Sequence, residues 1–191
     1  MNLPAQLVTA SPESWETTQT GLVGTAGPYS DLFIDPLADR RIQNAPTLLF
    51  QVEGDFLLEA EVSPDFAATF DAGILLLWQD EHSWAKLCFE FTPEAQPMVV
   101  SVVTQGFSDD CNGTIISRNR VHLRIGKRGP GCVFHYSEDG TYWHLVRKFR
   151  MADKPLHAGF LVQSPTGQGL RADFSNIRFR HETLGDVRSG L

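Results

Sequence analysis

Cysteine is scarce in this sequence, and the few cysteines present do not pair by their spacing. There are three, Cys88, Cys111 and Cys132, an odd number with no C-x-x-C motif. Such a set argues against a disulfide framework or a zinc site and predicts reduced thiols in the cytosol. Cys88 and Cys132 fall inside strand patterns, where a thiol acts as a small buried apolar group. Cys111 lies in an acidic segment that predicts a loop, so it is the candidate for a reactive thiol.

Long apolar runs and excess positive charge are also missing. The longest apolar run, 72–78, is far shorter than the about 20 residues that span a bilayer. Residues 1–19 hold no basic region followed by an apolar stretch, so no secretory signal is predicted. The net charge of −7 leaves no basic surface for nucleic acid. We therefore expect a cytoplasmic protein that binds neither membrane nor nucleic acid.

Helical periodicity is almost absent, and two-residue alternation dominates instead. With 191 residues, 42% of them hydrophobic and 20% charged, the chain predicts one globular domain over 1–191. Short strands separated by short turns predict an all-β fold, a β-sandwich or jelly roll of two antiparallel sheets. Residues 20–46, rich in Gly, Pro and Asp, predict long loops before an edge strand at 45–52. The other predicted strands are 55–62, 72–79, 84–91, 98–105, 114–116, 120–127, 133–136, 143–149, 157–163 and 169–180.

The segment Ser137–Trp143 carries the clearest turn signal. Its Asp139-Gly140 step lies between two alternating apolar runs, and Gly140 can adopt a positive φ without steric cost. Asp139 can also accept hydrogen bonds from its own backbone across the turn. The segment predicts a β-hairpin that serves folding rather than chemistry.

Strand 84–91 predicts a candidate ligand-binding face, because Trp84, Lys86 and Glu90 alternate with residues that face the core. An aromatic ring beside hydrogen-bonding groups suits a sugar, which has apolar faces and a polar rim. Trp84 is the expected stacking ring. Alternatively, Lys86 and Glu90 pair across an ordinary solvent face, which would add little stability. Neighbouring strands extend the candidate set, which comprises Trp84, Lys86, Glu90, Gln105, Arg124, His135 and Gln163.

The remaining polar groups of the sequence do not predict a second functional site. Glu59 and Glu61 share a strand face as a glycosidase pair would, but no third acid or flanking Trp follows, and a solvated outer face explains them better. The histidines at 122, 135, 144 and 157 lack metal-ligand spacing. Ser108–Gly113 has oxygen ligands for weak Ca²⁺ binding, although a plain acidic turn is the simpler interpretation. The sequence holds no G-x-S-x-G, phosphate-loop or dinucleotide motif, so we assign no catalytic residue, metal or cofactor.

Six short motifs follow one another along most of the chain. They are Gly54-Asp55-Phe56; Ala72-Gly73-Ile74-Leu75; Trp84-Ala85-Lys86-Leu87 running into Glu90; Val102-Val103-Thr104 leading to Ser108-Asp109; Ser137 with Asp139-Gly140 and Trp143; and Gln163-Ser164-Pro165. In this order they resemble the family of the domain of unknown function 1349, in which one fungal member is named a regulator of enolase. The resemblance runs from about residue 20 to 179.

The resemblance implies a concanavalin A-like sandwich with one concave face, related to lectin and glucanase domains. The family's domain also occurs attached to carbohydrate-active enzymes. Many members carry Trp after the Ser-Asp pair, where this chain has Asp110 and then Cys111. If that Trp binds ligand in relatives, this chain lacks the stacking ring at that position.

Three functional hypotheses follow. The favoured one is a non-catalytic module that binds a carbohydrate or small metabolite on the concave face. The second is a glycoside-hydrolase-like enzyme, which needs two carboxylates about 5–10 Å apart in one groove. The third is a protein-interaction or regulatory domain of carbohydrate metabolism, which predicts an exposed apolar patch or a stable oligomer such as a homodimer.

Overall fold

Two antiparallel sheets hold most of the chain in the computed structural model, which describes residues 3–4 and 7–191. A single turn of 3₁₀-helix at Pro12–Ser14 precedes the first strand. The strands are β1 (Trp15–Thr17), β2 (Gly21–Ala26), β3 (Leu32–Ile34), β4 (Arg41–Gln43), β5 (Thr47–Val52), β6 (Phe56–Pro64), β7 (Ala72–Asp80), β8 (Ser83–Phe91), β9 (Pro97–Gln105), β10 (Phe107–Ile115), β11 (Val121–Arg128), β12 (Gly131–Ser137), β13 (His144–Arg150), β14 (Leu156–Gln163) and β15 (Leu170–Arg180).

The strand order confirms the predicted β-sandwich. One sheet has seven strands in the order β1-β2-β15-β6-β11-β12-β13, and the other has six in the order β10-β9-β8-β7-β14-β5. Strands β3 and β4 form a separate hairpin. Strand β5 lies at the edge of the six-stranded sheet, as the sequence predicted. The described part of the chain contains no helix long and apolar enough to cross a membrane.

The main core lies between the two sheets, where the alternating side chains meet. Strand β6 contributes Phe56, Leu58, Ala60 and Val62, and strands β7 and β8 contribute Leu75, Leu77, Leu87 and Phe89. All eight are 0–1% exposed, so this face is completely removed from water. Burial of this kind is the dominant stabilising term of such a fold.

A second apolar cluster lies on the opposite, outer face of the six-stranded sheet. Ile74 and Leu76 of β7 point there, and the β3–β4 hairpin covers them with Leu32 and Ile34. This explains why β7 is apolar on both faces, as the sequence predicted for a central strand. The hairpin is therefore attached to the sandwich through its own small core.

The region 20–46, predicted as loops, instead contains three strands. Strand β2 lies between β1 and β15 in the seven-stranded sheet. Its glycines reflect close packing rather than a turn: a Cβ on Gly21 would lie 1.9 Å from the Phe174 carbonyl oxygen, and one on Gly24 2.8 Å from the Trp15 ring. Composition alone is misleading here, because glycine in a strand marks close backbone approach as well as a bend.

The acidic segment 108–113, predicted as a loop or turn, is also a strand. It belongs to β10, whose residues pair one by one with β9 from Phe107 opposite Gln105 to Asn112 opposite Val100. Polar and charged residues suit an edge strand because they discourage pairing with a further chain. Cys111 is exposed on this edge and unpaired.

The Ser137–Trp143 segment forms the predicted hairpin turn between β12 and β13. Gly140 has a φ of +74°. Asp139 Oδ1 accepts hydrogen bonds from the backbone of Thr141 at 2.8 Å and of Tyr142 at 2.9 Å, and from the Ser137 hydroxyl at 3.0 Å. These bonds lower the pKa of Asp139 well below its usual range.

We expect Asp139→Ala to reduce stability at neutral pH and to remove part of its acid dependence. Because the folded pKa of Asp139 lies below the unfolded value, the ionised carboxylate stabilises the fold above about pH 4, and this contribution disappears as the pH falls further. Urea unfolding at pH 7 and pH 3 measures the effect. The difference between wild type and variant should shrink at pH 3, whereas the neighbouring Glu138→Ala should change little at either pH.

Candidate functional site

A pocket opens on the outer face of the six-stranded sheet, beside the β3–β4 hairpin. It contains about 740 Å³ of space not filled by atoms, its open mouth included. The sheet supplies Lys86, Glu90, Val102, Asp110 and Gln163; the hairpin and its approach supply Asp31, Phe33, Asp35, Arg40 and Ile42; loops supply Phe70, Pro165 and Thr166.

The register of the strands brings these polar groups together. Glu90 and Gln163 both lie opposite Ala72 of β7, one on each side, so they share a row across three strands. Lys86 and Asp110 both lie opposite Val102 of β9. Residues in register across neighbouring strands project to the same face, so both rows open into the pocket.

Lys86 is the centre of this arrangement. Its side chain is only 2% exposed, and Nζ donates a hydrogen bond to Gln163 Oε1 at 3.1 Å. Asp31 Oδ1 lies 3.8 Å from the same nitrogen, and the Phe33 ring centroid lies 5.8 Å from it. A buried ammonium group is costly unless such partners compensate for lost water. The carboxylate, amide and ring together supply that compensation.

The amide of Gln163 is fixed at both ends. Its Oε1 accepts from Lys86, and its Nε2 donates to the Phe70 carbonyl at 3.3 Å. Phe70 has a φ of +69°, uncommon for a non-glycine residue. Its turn is held by Asp71, whose Oδ2 accepts from the backbone of Ala67 and Ala68 at 2.9 and 2.8 Å. The loop wall is thus rigidly joined to the polar centre.

Two carboxyl groups facing the pocket have raised pKa values. Burial raises the pKa of Glu90 to about 8, with smaller upward contributions from Asp110 and Asp31 and an opposing one from Lys86. Burial also raises the pKa of Asp110, again opposed by Lys86, although this residue lies at the exposed mouth of the pocket. Glu90 is therefore mostly protonated at pH 7 and can donate as well as accept a hydrogen bond.

We expect the Glu90 carboxyl to titrate near pH 8 rather than near 4.5. Lys86→Met should raise this midpoint further, because it removes a positive charge, and Asp110→Asn should lower it, because it removes a negative one. Carbon-13 NMR of the side-chain carboxyl groups measures all three. A wild-type midpoint near 4.5, or shifts of the opposite sign in the variants, would contradict this electrostatic account.

The raised pKa of Glu90 also determines how the stability of the protein changes with pH. Between pH 4.5 and 8 the native state binds more protons than the unfolded state at Glu90, so its contribution to stability decreases as the pH rises. Glu90→Gln should remove that slope in urea unfolding.

Trp84 is not a ligand-stacking ring in this structure. It is fully buried in the second cluster, with its ring stacked on Trp78 at a centroid distance of 5.6 Å. Removing a buried Trp typically costs about 3–5 kcal/mol. Trp84→Ala is therefore expected to disturb the packing of the second cluster rather than to remove a ligand-stacking ring.

The structure brings Lys86, Glu90 and Gln163 together but places three other candidates elsewhere. Gln105 lies opposite Ser83, not Trp84, so it faces the other side of the sheet, where its Nε2 donates to the Arg150 carbonyl at 2.9 Å. Arg124 and His135 belong to the seven-stranded sheet and are paired with each other in register. They lie on its outer face, outside the pocket.

Residues 183–191, which we call the strap, cover Arg124 and His135. Arg124 stacks on the Trp143 ring at 3.7 Å and donates from Nη1 to the Gly190 carbonyl at 2.6 Å. It also donates from Nε to Glu59 Oε1 at 2.8 Å. Glu59 is thus buried in an ion pair, not on the solvated face the sequence predicted.

His135 binds the strap while its own imidazole ring is neutral. The Val187 carbonyl, 2.8 Å from Nε2, can only accept, so Nε2 carries the proton. The other ring nitrogen, Nδ1, is then a buried acceptor without a partner among the described residues. Burial lowers the pKa of His135, and the nearby Arg124 charge lowers it further, against the opposing effect of the Val187 bond.

We expect acid to loosen the strap. The pKa of His135 is lower in the folded state than its unfolded value near 6.5. Its contribution to the free energy of unfolding is therefore fully present above that pH and is lost as His135 becomes protonated. Hydrogen exchange of the strap amides, corrected for intrinsic rates, should show less protection at pH 5 than at pH 7.5. His135→Gln should abolish this dependence and His181→Gln should retain it; the reverse result would contradict the assignment.

Sequence reasoning missed the part of the site carried by the β3–β4 hairpin. Asp31, Phe33, Asp35 and Arg40 were all within the region predicted as loops. A signal was present, because Leu32-Phe33-Ile34 is a short apolar run bounded by two acids. Only the tertiary position of the hairpin, however, shows that both acids line the pocket and that Asp31 lies beside Lys86.

Together, the two antiparallel sheets and the pocket on the outer face of one of them define a β-sandwich with the concanavalin A-like fold. Within this class the chain belongs to the family described as Protein of unknown function (DUF1349), whose model matches residues 9–182. The family resemblance in the sequence is thereby confirmed. A comparison with curated proteins gives no significant match.

Solved structures share this fold at low sequence identity. A functionally unknown protein from Saccharomyces cerevisiae is similar with a TM-score of 0.85 and 18% identity, covering 93% of this chain and 97% of that one. Carbohydrate binding module CBM66 from Bacillus subtilis has a TM-score of 0.54 and 15% identity, with 91% and 94% covered.

Larger glycoside hydrolase proteins contain a similar region. The Bacteroides ovatus xyloglucan PUL GH43B protein has a TM-score of 0.71 and 14% identity, and the match covers 95% of this chain. The chain spans only 38% of that protein's length. At these identities the comparisons show the shared fold.

Proposed function

We propose that this chain is a non-catalytic module that binds a carbohydrate or another small polyol-like metabolite in the pocket around Lys86. The observation that carries the proposal is the fixed polar centre of that pocket. Lys86 and Gln163 are both 2% exposed and bonded to each other, so the floor is pre-organised before any ligand arrives. Pre-organisation of this kind reduces the entropy cost of binding.

The chemistry around this centre matches a sugar-like ligand. Phe33 and Phe70 provide apolar surface for the ring faces, while Arg40, Asp110 and Glu90 provide donors and acceptors for hydroxyl groups. Protonated Glu90 can donate to one hydroxyl and accept from another. At the exposed mouth of the pocket, the carboxyl group of Asp110 can form hydrogen bonds with hydroxyl groups of the ligand.

The comparisons support the same class of ligand. One similar structure is named a carbohydrate binding module, and others are glycoside hydrolase proteins in which a region of this shape forms about a third of the chain. For this chain, carbohydrate binding remains a proposal that rests on the pocket. Its cytosolic location likewise remains a prediction from the reduced cysteines.

Isothermal titration against a panel of mono- and oligosaccharides and free polyols tests the proposal. Lys86→Met should weaken the binding of any saturable ligand at least about tenfold, because hydrogen bonds to charged groups are worth about 1.5–3 kcal/mol. Lys148→Met, the same change on the exposed face of β13, is the matched control and should bind normally. Circular dichroism checks that both variants are folded.

Two outcomes would overturn the binding proposal. One is the absence of saturable binding across the whole panel. The other is a bound ligand whose affinity is unchanged in folded Lys86→Met.

A glycoside-hydrolase-like activity is the second candidate, favoured by one observation. A protonated Glu90 and the carboxyl groups of Asp110 and Asp31 face the same cavity. A neutral carboxylic acid can protonate a leaving group, while an ionised partner acts as nucleophile or base. Release of reducing sugar during the titration, lost in Glu90→Gln, would favour this candidate over simple binding.

A protein-interaction role has less support. The exposed large apolar side chains of the described residues are spread over the N-terminal segment, several loops, strand β10 and the C-terminal residue: Leu7, Val8, Tyr29, Leu37, Phe70, Phe107, Ile115, Tyr142 and Leu191. Single exposed apolar residues are common on monomeric proteins.

A further inference from the structure

A second pocket lies at one end of the sandwich, between the two sheets. It forms where β7, β11 and β13 end and β12 and β14 begin, and it contains about 630 Å³ of space not filled by atoms, its mouth included. None of its lining residues is shared with the pocket around Lys86.

The wall of this second pocket is held in place by two amide side chains from the six-stranded sheet. Gln79 Nε2 donates to the Ala152 carbonyl at 2.7 Å and to the Lys154 carbonyl at 3.3 Å. Gln105 Nε2 donates to the Arg150 carbonyl at 2.9 Å. The segment 150–154 is thus bonded across the gap between the sheets. Gln105, placed on the ligand face by sequence reasoning, serves this wall instead.

The pocket combines a basic rim with an apolar floor. Three cations, Lys127, Arg150 and Lys154, line it together with one acid, Asp153, and Lys154 is paired with Asp80 at 2.7 Å. Within the described part of the chain, neither Lys127 nor Arg150 forms an ion pair, although the whole chain carries a net charge of −7. The floor comprises Cys132, Met151 and Leu156, which are 2–6% exposed.

We propose that this second pocket binds a small organic anion, a carboxylate with an apolar body. Lys127 and Arg150 would pair with the carboxylate, and the apolar body would cover Met151 and Leu156. Arginine holds carboxylates in a two-point geometry, and a partly enclosed site screens such a pair less than open water does. An inorganic anion would leave the apolar floor uncovered, and a neutral ligand would leave both cations unpaired.

Methionine methyl NMR tests the proposal directly. The sequence contains three methionines, Met1, Met98 and Met151, and of the two that the structure describes, Met151 lines this pocket and Met98 does not. In protein labelled with carbon-13 methyl methionine, benzoate should shift the Met151 signal in a saturable way and leave the Met98 signal in place. Met151→Leu assigns the signal. Benzyl alcohol, the neutral analogue, and inorganic phosphate should each bind at least about tenfold more weakly.

Variants separate specific pairing from general charge. Lys127→Met and Arg150→Gln should each weaken benzoate binding at least about tenfold, because each removes one charge-assisted contact. Lys148→Met, two residues from Arg150 on β13, should not. The proposal is overturned if benzoate leaves Met151 unshifted, if phosphate binds as tightly as benzoate, or if Lys148→Met weakens binding as much as the pocket variants. Sugar binding at the first pocket is independent of each result.

Discussion

The buried ammonium group of Lys86 needs partners that compensate for its lost hydration, and three parts of the structure supply them. Lys86 obtains an amide from the end of β14, a carboxylate from the approach to β3 and an aromatic face from β3 itself. The β3–β4 hairpin, the loop before β7 that bonds to Gln163, and the sheet are therefore all linked to the charge of Lys86. The same charge limits how far the pKa values of Glu90 and Asp110 rise.

Much of the sandwich could be predicted from the sequence, because local alternation reports which face of a strand is buried. In β6 and β8, every second residue enters the main core, and the hairpin turn at Asp139-Gly140 follows from turn chemistry alone. The same alternation correctly put Lys86 and Glu90 on one outer face. Where the alternation of buried and exposed residues is clear, it is determined by the local geometry of the strand.

The positions of the other candidate residues depend on which strands pair and in which register, and alternation along one strand does not reveal either. Arg124 and His135 share a face with each other but lie on the other sheet, and a sequence pattern cannot assign a strand to a sheet. The side chain of Gln105 lies on the opposite face of the sheet from the predicted one, because strand register, not residue type, determines the face to which it points. The hairpin acids were missed because glycine and proline around them predicted loops, whereas their place is decided by packing on β7 and β8.

The attachment of the β3–β4 hairpin through its own small apolar cluster has a kinetic consequence. Because this cluster is separate from the main core, the hairpin can detach at a free-energy cost well below that of global unfolding. Since the hairpin and its approach line one side of the open pocket, a bound molecule would lose those contacts each time the hairpin detaches, and would leave faster than from the intact pocket. Residence time could therefore be lengthened by filling out the contacts of Leu32 and Ile34 alone, leaving the sheet unchanged.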